Sequence, residues 1–156
     1  MIKVRLQIGD GTPLDTVDAY GLVYISSDNR FEAPIKEFEQ STYPEQEGVN
    51  IIAKSASDTF EYKTTWFIKA NQTLNNANKV IANFNSLLYD QVDDVKAFKR
   101  VTFYNDHKKV KIVGIPKPIQ EATEFWRDIK GVQHDVVCVE WIIKVDKPSL
   151  CDFNID

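Results

Sequence analysis

Apolar residues recur at every second position in most hydrophobic runs of this chain, and the spacing changes only once, to threes and fours. Ile2, Val4, Leu6 and Ile8 alternate with Lys3, Arg5 and Gln7, the pattern of a strand with one face in a core and the other in water. In FEYKTTWFIKA (60–70), Phe60, Tyr62, Thr64, Trp66 and Ile68 share a face, and only Phe67 breaks the alternation. Val137, Val139, Trp141, Ile143 and Val145 line one side of a long final strand that ends before Pro148. AYGLVYIS (19–26) and GVNIIA (48–53) add shorter strands. RVTFYNDHKKVKIVGI (100–115) reads as a hairpin turning at Asn105, Asp106 and His107, residue types that tolerate positive φ.

The single change of period falls at Leu74, Ala77, Ile81, Phe84 and Leu88, with Val80 and Leu87 widening the stripe. It predicts one amphipathic helix over about 74–89, roughly 24 Å long. The opposite face carries Asn75, Asn76, Asn78, Asn83 and Asn85. Asparagine is a poor helix former, so packing against a sheet must hold this helix. PKPIQEATEFWRDIKG (116–131) is expected to be irregular, with one helical turn around 121–127. The polar, proline-marked stretch 27–48 is expected to be a long connection. These elements sum to an α+β fold: about seven strands in a mainly antiparallel β-sandwich or barrel-like arrangement, with one flanking amphipathic helix. At 156 residues, one core and a single domain over 1–156 suffice without metal or disulfide staples.

Charge and composition remove several function classes. A formal charge of −4 and a pI near 5.2 argue against direct binding to a nucleic-acid backbone, which requires a positive surface. The lysines of KAFKR (96–100) and HKKVK (107–111) follow Asp90, Asp93 and Asp94 and read as a solvated mixed face. Cys138 and Cys151 are too few for a disulfide scaffold and wrongly spaced for zinc; Cys138 is expected in a strand interior. No run reaches the roughly 18 apolar residues of a spanning helix. The sequence opens without a signal-like segment, so synthesis in the cytoplasm with no membrane partner is expected.

Chemistry motifs are scarce. Gly9-Asp10-Gly11 lacks the lysine and the strand-to-helix setting of a phosphate loop. His107 and His134 would have to meet through the fold to form a metal site, and no nucleophile elbow is present. No catalytic residue, cofactor or metal is therefore expected. Paired carboxylates are the remaining catalytic option, because glycoside hydrolysis needs only two acids about 5–10 Å apart across a cleft. Glu140, beside Trp141, is the best single candidate. Alternation places it on the solvated face. Glu45 and Glu47, in TYPEQEGVNI (42–51), lie in a proline-led loop that is poorly placed for catalysis. A small ligand- or carbohydrate-binding sandwich would show an aromatic cleft around Trp66 or Trp141.

The order of YPEQEGVNI, FEYKTTWFIKA, a helix, RVTFYNDHKKVKIVGIP and VVCVEWIIKVDKPSLCDF resembles the distal tail and tail-tube-like proteins of phages and prophages, over about two thirds of the chain. The resemblance implies a β-sandwich with one flanking helix and no enzymatic activity. It implies assembly into a ring, commonly a hexamer, among other tail proteins, and a place in the virion. The sequence departs from a full distal tail protein in ending near residue 156, where many of them are expected to carry a larger carboxyl-terminal carbohydrate-binding-like region. An open sheet leaves unpaired edges that a ring can cover. Tyr20, Tyr24, Tyr43 and Trp126 are the aromatics expected at subunit contacts, where rigid rings gain contact area at little entropic cost. The other place for each is the core of a monomer.

Overall fold

The computed structural model describes residues 3–35, 39–41, 50–52, 57–69, 74–129 and 132–155; side chains at 39–41, 50–52, 74–75, 124–129 and 132–136 lie outside the description. In chain order the elements are β1 (Val4–Ile8), β2 (Leu14–Asp15), α1 (Thr16–Tyr20), β3 (Leu22–Ser27), β4 (Glu39–Ser41), β5 (Asn50–Ile52), β6 (Phe60–Ile68) and α2 (Leu74–Leu87). There follow β7 (Tyr89–Val92), β8 (Val95–Phe98), β9 (Val101–Asn105), β10 (Val110–Pro116), β11 (Ala122–Ile129), β12 (Val132–Val145) and a 3-10 turn at Pro148–Leu150.

Eight strands form one continuous antiparallel path in the order β2-β1-β9-β10-β12-β6-β3, with β11 also on β12. The path folds into two layers because β10 serves both. Its residues Val110 to Gly114 pair with β9, whereas Ile115 and Pro116 pair with β12. Phe103 of β9 faces the other layer, its ring centroid 6.0 Å from Trp66, 6.1 Å from Tyr62 and 6.2 Å from Tyr24. Gly114 sits at the crossing. A Cβ there would lie 2.8 Å from Ile143 Cγ2 and collide with the Lys144 carbonyl oxygen, so the two layers meet only because this residue has no side chain.

The alternation in the sequence is the alternation of burial. Val4, Leu6, Tyr62, Thr64, Trp66, Val137, Val139, Trp141, Ile143 and Val145 are all buried, each large apolar side chain contributing about 1.5–3 kcal/mol by leaving water. Two polar groups in this core are satisfied by each other: Trp66 Nε1 donates to Thr64 Oγ1 at 2.7 Å, and that hydroxyl donates to the Trp141 carbonyl at 2.8 Å. A second network ties the layers together. Asn105 Nδ2 donates to the Tyr24 hydroxyl, which lies 2.8 Å from Ser27 Oγ; Tyr62 OH and Lys108 Nζ also reach Ser27. Asn105 further caps its own turn by accepting from the backbone N–H groups of His107 and Lys108.

Helix α2 buries Ala77 and Phe84 and half-buries Ile81, and Leu88, the residue after it, is buried as well, as the stripe requires. The asparagine face is not uniformly solvated. Asn85 donates to the Ile119 carbonyl at 2.8 Å and accepts from the Ile119 N–H at 2.9 Å, so its amide replaces one rung of a ladder and fixes the helix to the segment after β10.

Four expectations change. AYGLVYIS does not begin a strand at Ala19: Asp15 caps Val17 N–H and opens α1, and Gly21, at φ 71, closes it in the left-handed region before β3 starts. The helix ends at Leu87, two residues early, because Tyr89 is already paired with Phe98. The stretch 27–48, expected as a connection, contains β4, which pairs with β5; the charged run 90–97 is exposed as expected and forms the β7–β8 hairpin. The segment around 121–127 is not helical but forms β11, paired residue by residue with β12 from Ala122↔Val139 to Ile129↔Val132. A neighbouring strand decides that conformation, and no local propensity reports it.

Candidate subunit interface

The candidate contact residues separate in the structure. Tyr24 is 7% exposed and stands edge-on to Trp66 at 5.6 Å, so its ring serves the core and offers almost no surface to a partner. Tyr20 is half-buried at the end of α1, edge-on to Phe84 at 5.6 Å, and burial pushes its phenol above the ordinary tyrosine range. Tyr43 lies outside the described residues, as do Glu45 and Glu47. Trp126 is in β11 opposite Asp135; its side chain lies outside the description.

Around Tyr20 the surface is apolar and concave. Ala19, Tyr20, Gly21, Val80, Asn83, Phe84 and Leu87 line a groove of about 180 Å³ between α1 and α2. Its floor is the buried ring of Phe84, and Leu87 on its rim is 46% exposed. Gly21 keeps the groove open on one side, since a Cβ there would stand 3.1 Å from Val80 Cγ1. Beyond the end of the same helix projects the β7–β8 hairpin. Val92 and Val95, cross-strand partners at its tip, are 68% and 67% exposed. The hairpin is held at its base: Lys99 N–H donates to the Leu88 carbonyl at 2.8 Å, Tyr89 and Phe98 pack edge-on at 5.6 Å, and Lys99 pairs with Asp90 at 3.4 Å. The groove and the hairpin tip escape a reading based on large aromatics. The signal for the second is Val92-Asp93-Asp94-Val95, two short polar residues between alternating apolar ones, which is hairpin-loop chemistry.

The carboxylate candidate is placed differently. Glu140 lies on the outer face of β12, opposite Thr65, and is exposed. It lines an open groove of about 440 Å³ with Lys117, Pro118, Gln120, Glu121 and Ile142. The structure thus brings Glu140 and Glu121 to one groove, and Lys117 on its edge pairs with Glu61 at 2.7 Å. The tryptophans are elsewhere: Trp66 and Trp141 are fully buried on the opposite face of the sheet, so neither offers a platform for a sugar ring. Cys138 and Cys151 are half-buried, and burial raises both thiols above their ordinary range, which keeps them protonated and poor nucleophiles. His107 is exposed in the β9–β10 turn, and His134 lies in β12 opposite Arg127. Among the described residues no group of three His, Cys, Asp or Glu side chains is placed to hold a metal, and no helix is long and apolar enough to cross a membrane.

No protein-family model and no curated protein matches this sequence. Among solved structures the chain is similar to the Dit protein (gp 19.1) of SPP1, described as a paradigm of the hub adsorption apparatus in phages that infect Gram-positive bacteria. The TM-score is 0.50 at 17% identity, over 93% of this chain and 50% of that one. This chain therefore spans half the length of that protein, and the shared property is the fold: a mainly antiparallel two-layer β structure with a flanking helix.

Proposed function

We propose that this protein is a non-enzymatic structural component of a phage or prophage tail, of the distal tail type, which acts by assembling with copies of itself into a ring and joining other tail proteins in the virion. The observation that carries this reading is the likeness of 93% of the chain to the SPP1 hub protein. The surface is compatible with it. Both tryptophans that a ligand cleft would use are consumed by the core, whereas Leu87 at the end of α2, and Val92 and Val95 at the tip of the hairpin that follows it, are among the exposed apolar residues that contact between subunits would cover. Tyr20 remains the contact residue of choice among the aromatics, because it lines the groove there.

Negative-stain electron microscopy of the concentrated, purified chain tests the reading. Closed rings of uniform diameter are expected. Isolated particles of single-chain size at every concentration would contradict it. A hydrolytic alternative centred on the Glu121 and Glu140 groove predicts release of reducing sugar from an oligosaccharide, abolished by Glu140→Gln; the tail reading predicts no turnover in either protein.

A further inference from the structure

We infer that the tip of the β7–β8 hairpin is a plug that enters the α1–α2 groove of a second copy of this chain; the inference rests on the self-assembly reading and names its contact. The two surfaces are complementary in shape and polarity. The tip offers two adjacent valines, Val92 and Val95, each about two-thirds exposed. The groove offers Ala19, Tyr20, Val80 and Leu87 over a Phe84 floor, with Asn83 as its one amide, a mostly apolar concavity of about 180 Å³.

They are also complementary in charge. Asp93 and Asp94 form the loop between the valines, and Asp93 takes φ 55, which the tight two-residue turn demands. Beside the groove, Lys79 precedes Val80 on α2, and Lys69 donates its backbone N–H to the Gly21 carbonyl at 2.8 Å. Both lysines are exposed. Asp18, one residue before Ala19, is also exposed, so the segments that border the groove carry two lysines against one carboxylate. Within the plug, Asp90 is already paired with Lys99, and Lys96 keeps its charge over the Tyr89 ring at 4.7 Å, so the two loop aspartates outnumber that one cation and leave the tip negative. A two-stranded hairpin with every residue from Asp90 to Ala97 exposed gains little from its own chain, and such ribbons are marginal alone in water. Docking supplies the missing burial. Because plug and groove are different patches, the contact is heterologous, and a chain of such contacts closes into a ring when the rotation permits.

Light scattering on size-exclusion fractions across concentration tests this with three proteins beside the wild type. Val92→Ser with Val95→Ser removes the apolar plug from exposed positions and should leave melting unchanged while weakening association by about tenfold or more. Asp93→Lys with Asp94→Lys should weaken it as well. Adding Lys69→Asp and Lys79→Asp to the second variant should restore a substantial part of the loss, a rescue that only direct pairing of these charges provides. Assembly of the two plug variants with wild-type affinity would overturn the plug and leave self-assembly standing through another surface. A wild type that stays monomeric would overturn both. A groove filled by a different tail protein would show as monomeric wild type that binds that protein and loses it in Leu87→Asp, and it would likewise overturn the inference.

Discussion

Phe84 of α2 stands edge-on to Trp141 of β12, ring centroids 5.1 Å apart at 80°, and this pair joins the longest helix to the longest strand among the described residues. Both side chains are at most 1% exposed. Truncation by Phe84→Ala removes that contact and the one with Tyr20, leaving a cavity that neither sheet nor helix can refill. The expected loss is about 3–5 kcal/mol in chemical denaturation. A loss below about 1 kcal/mol would mean that the helix stripe faces water.

At Gly114 the constraint is space alone. A methyl group would collide with the Lys144 carbonyl and Ile143 Cγ2, forcing apart β10 and β12 where the path passes between layers. Gly114→Ala should cost roughly 1–3 kcal/mol or more. Gly9, whose Cβ would meet nothing closer than 3.7 Å, serves as the control for space, although its φ of 60 adds a backbone cost of its own.

The Asn85 amide satisfies both backbone groups of Ile119. Asn85→Ala strands a donor and an acceptor at a half-buried position and should cost about 1–3 kcal/mol. Asn85→Asp retains the acceptor for the Ile119 N–H and should cost less near neutral pH. Equal losses in the two variants would show that helix packing, and not the amide, holds this segment.

Alkaline pH should find Tyr62. Burial pushes its phenol up to about 12 from an ordinary value of 10.0, against the opposing pull of the Ser27 hydrogen bond. Between these values the unfolded chain gives up the proton and the folded one keeps it. This contribution to stability is therefore complete below pH 10.0 and is lost as pH rises toward about 12. Melting temperature should fall as pH rises from 10.0 to about 12, and Tyr62→Phe should show a shallower fall over that interval. An unchanged slope in the variant would assign the alkaline transition to other groups.

How legible was all this in the residues? The faces of β1, β6 and β12 and the stripe of α2 follow from spacing, because each packs on one side only and burial imposes its own period on the sequence. The two-layer path does not follow: nothing local in Val110 to Pro116 reports that its first residues pair with β9 and its last with β12. Nor does β11, whose ATEFWRDI becomes a strand because β12 runs beside it. Large aromatics point to contacts only by their size, and Tyr24, whose hydroxyl belongs to the Asn105 and Ser27 network, shows how the fold can claim such a ring for the core. The groove also takes Ala19 and Val80, and the hairpin tip Val92 and Val95, smaller residues that only the tertiary arrangement brings to one surface. Glu140 behaves as alternation requires, exposed and opposite Thr65.

Self-association, as proposed, is open to native mass measurement of the wild-type protein over a hundredfold range of concentration. One dominant species is expected, with a mass that is a whole-number multiple of 17.9 kDa, disappearing toward the single chain only on dilution. A mass of one chain at the highest concentration, with a melting curve showing that the protein is folded, would contradict it.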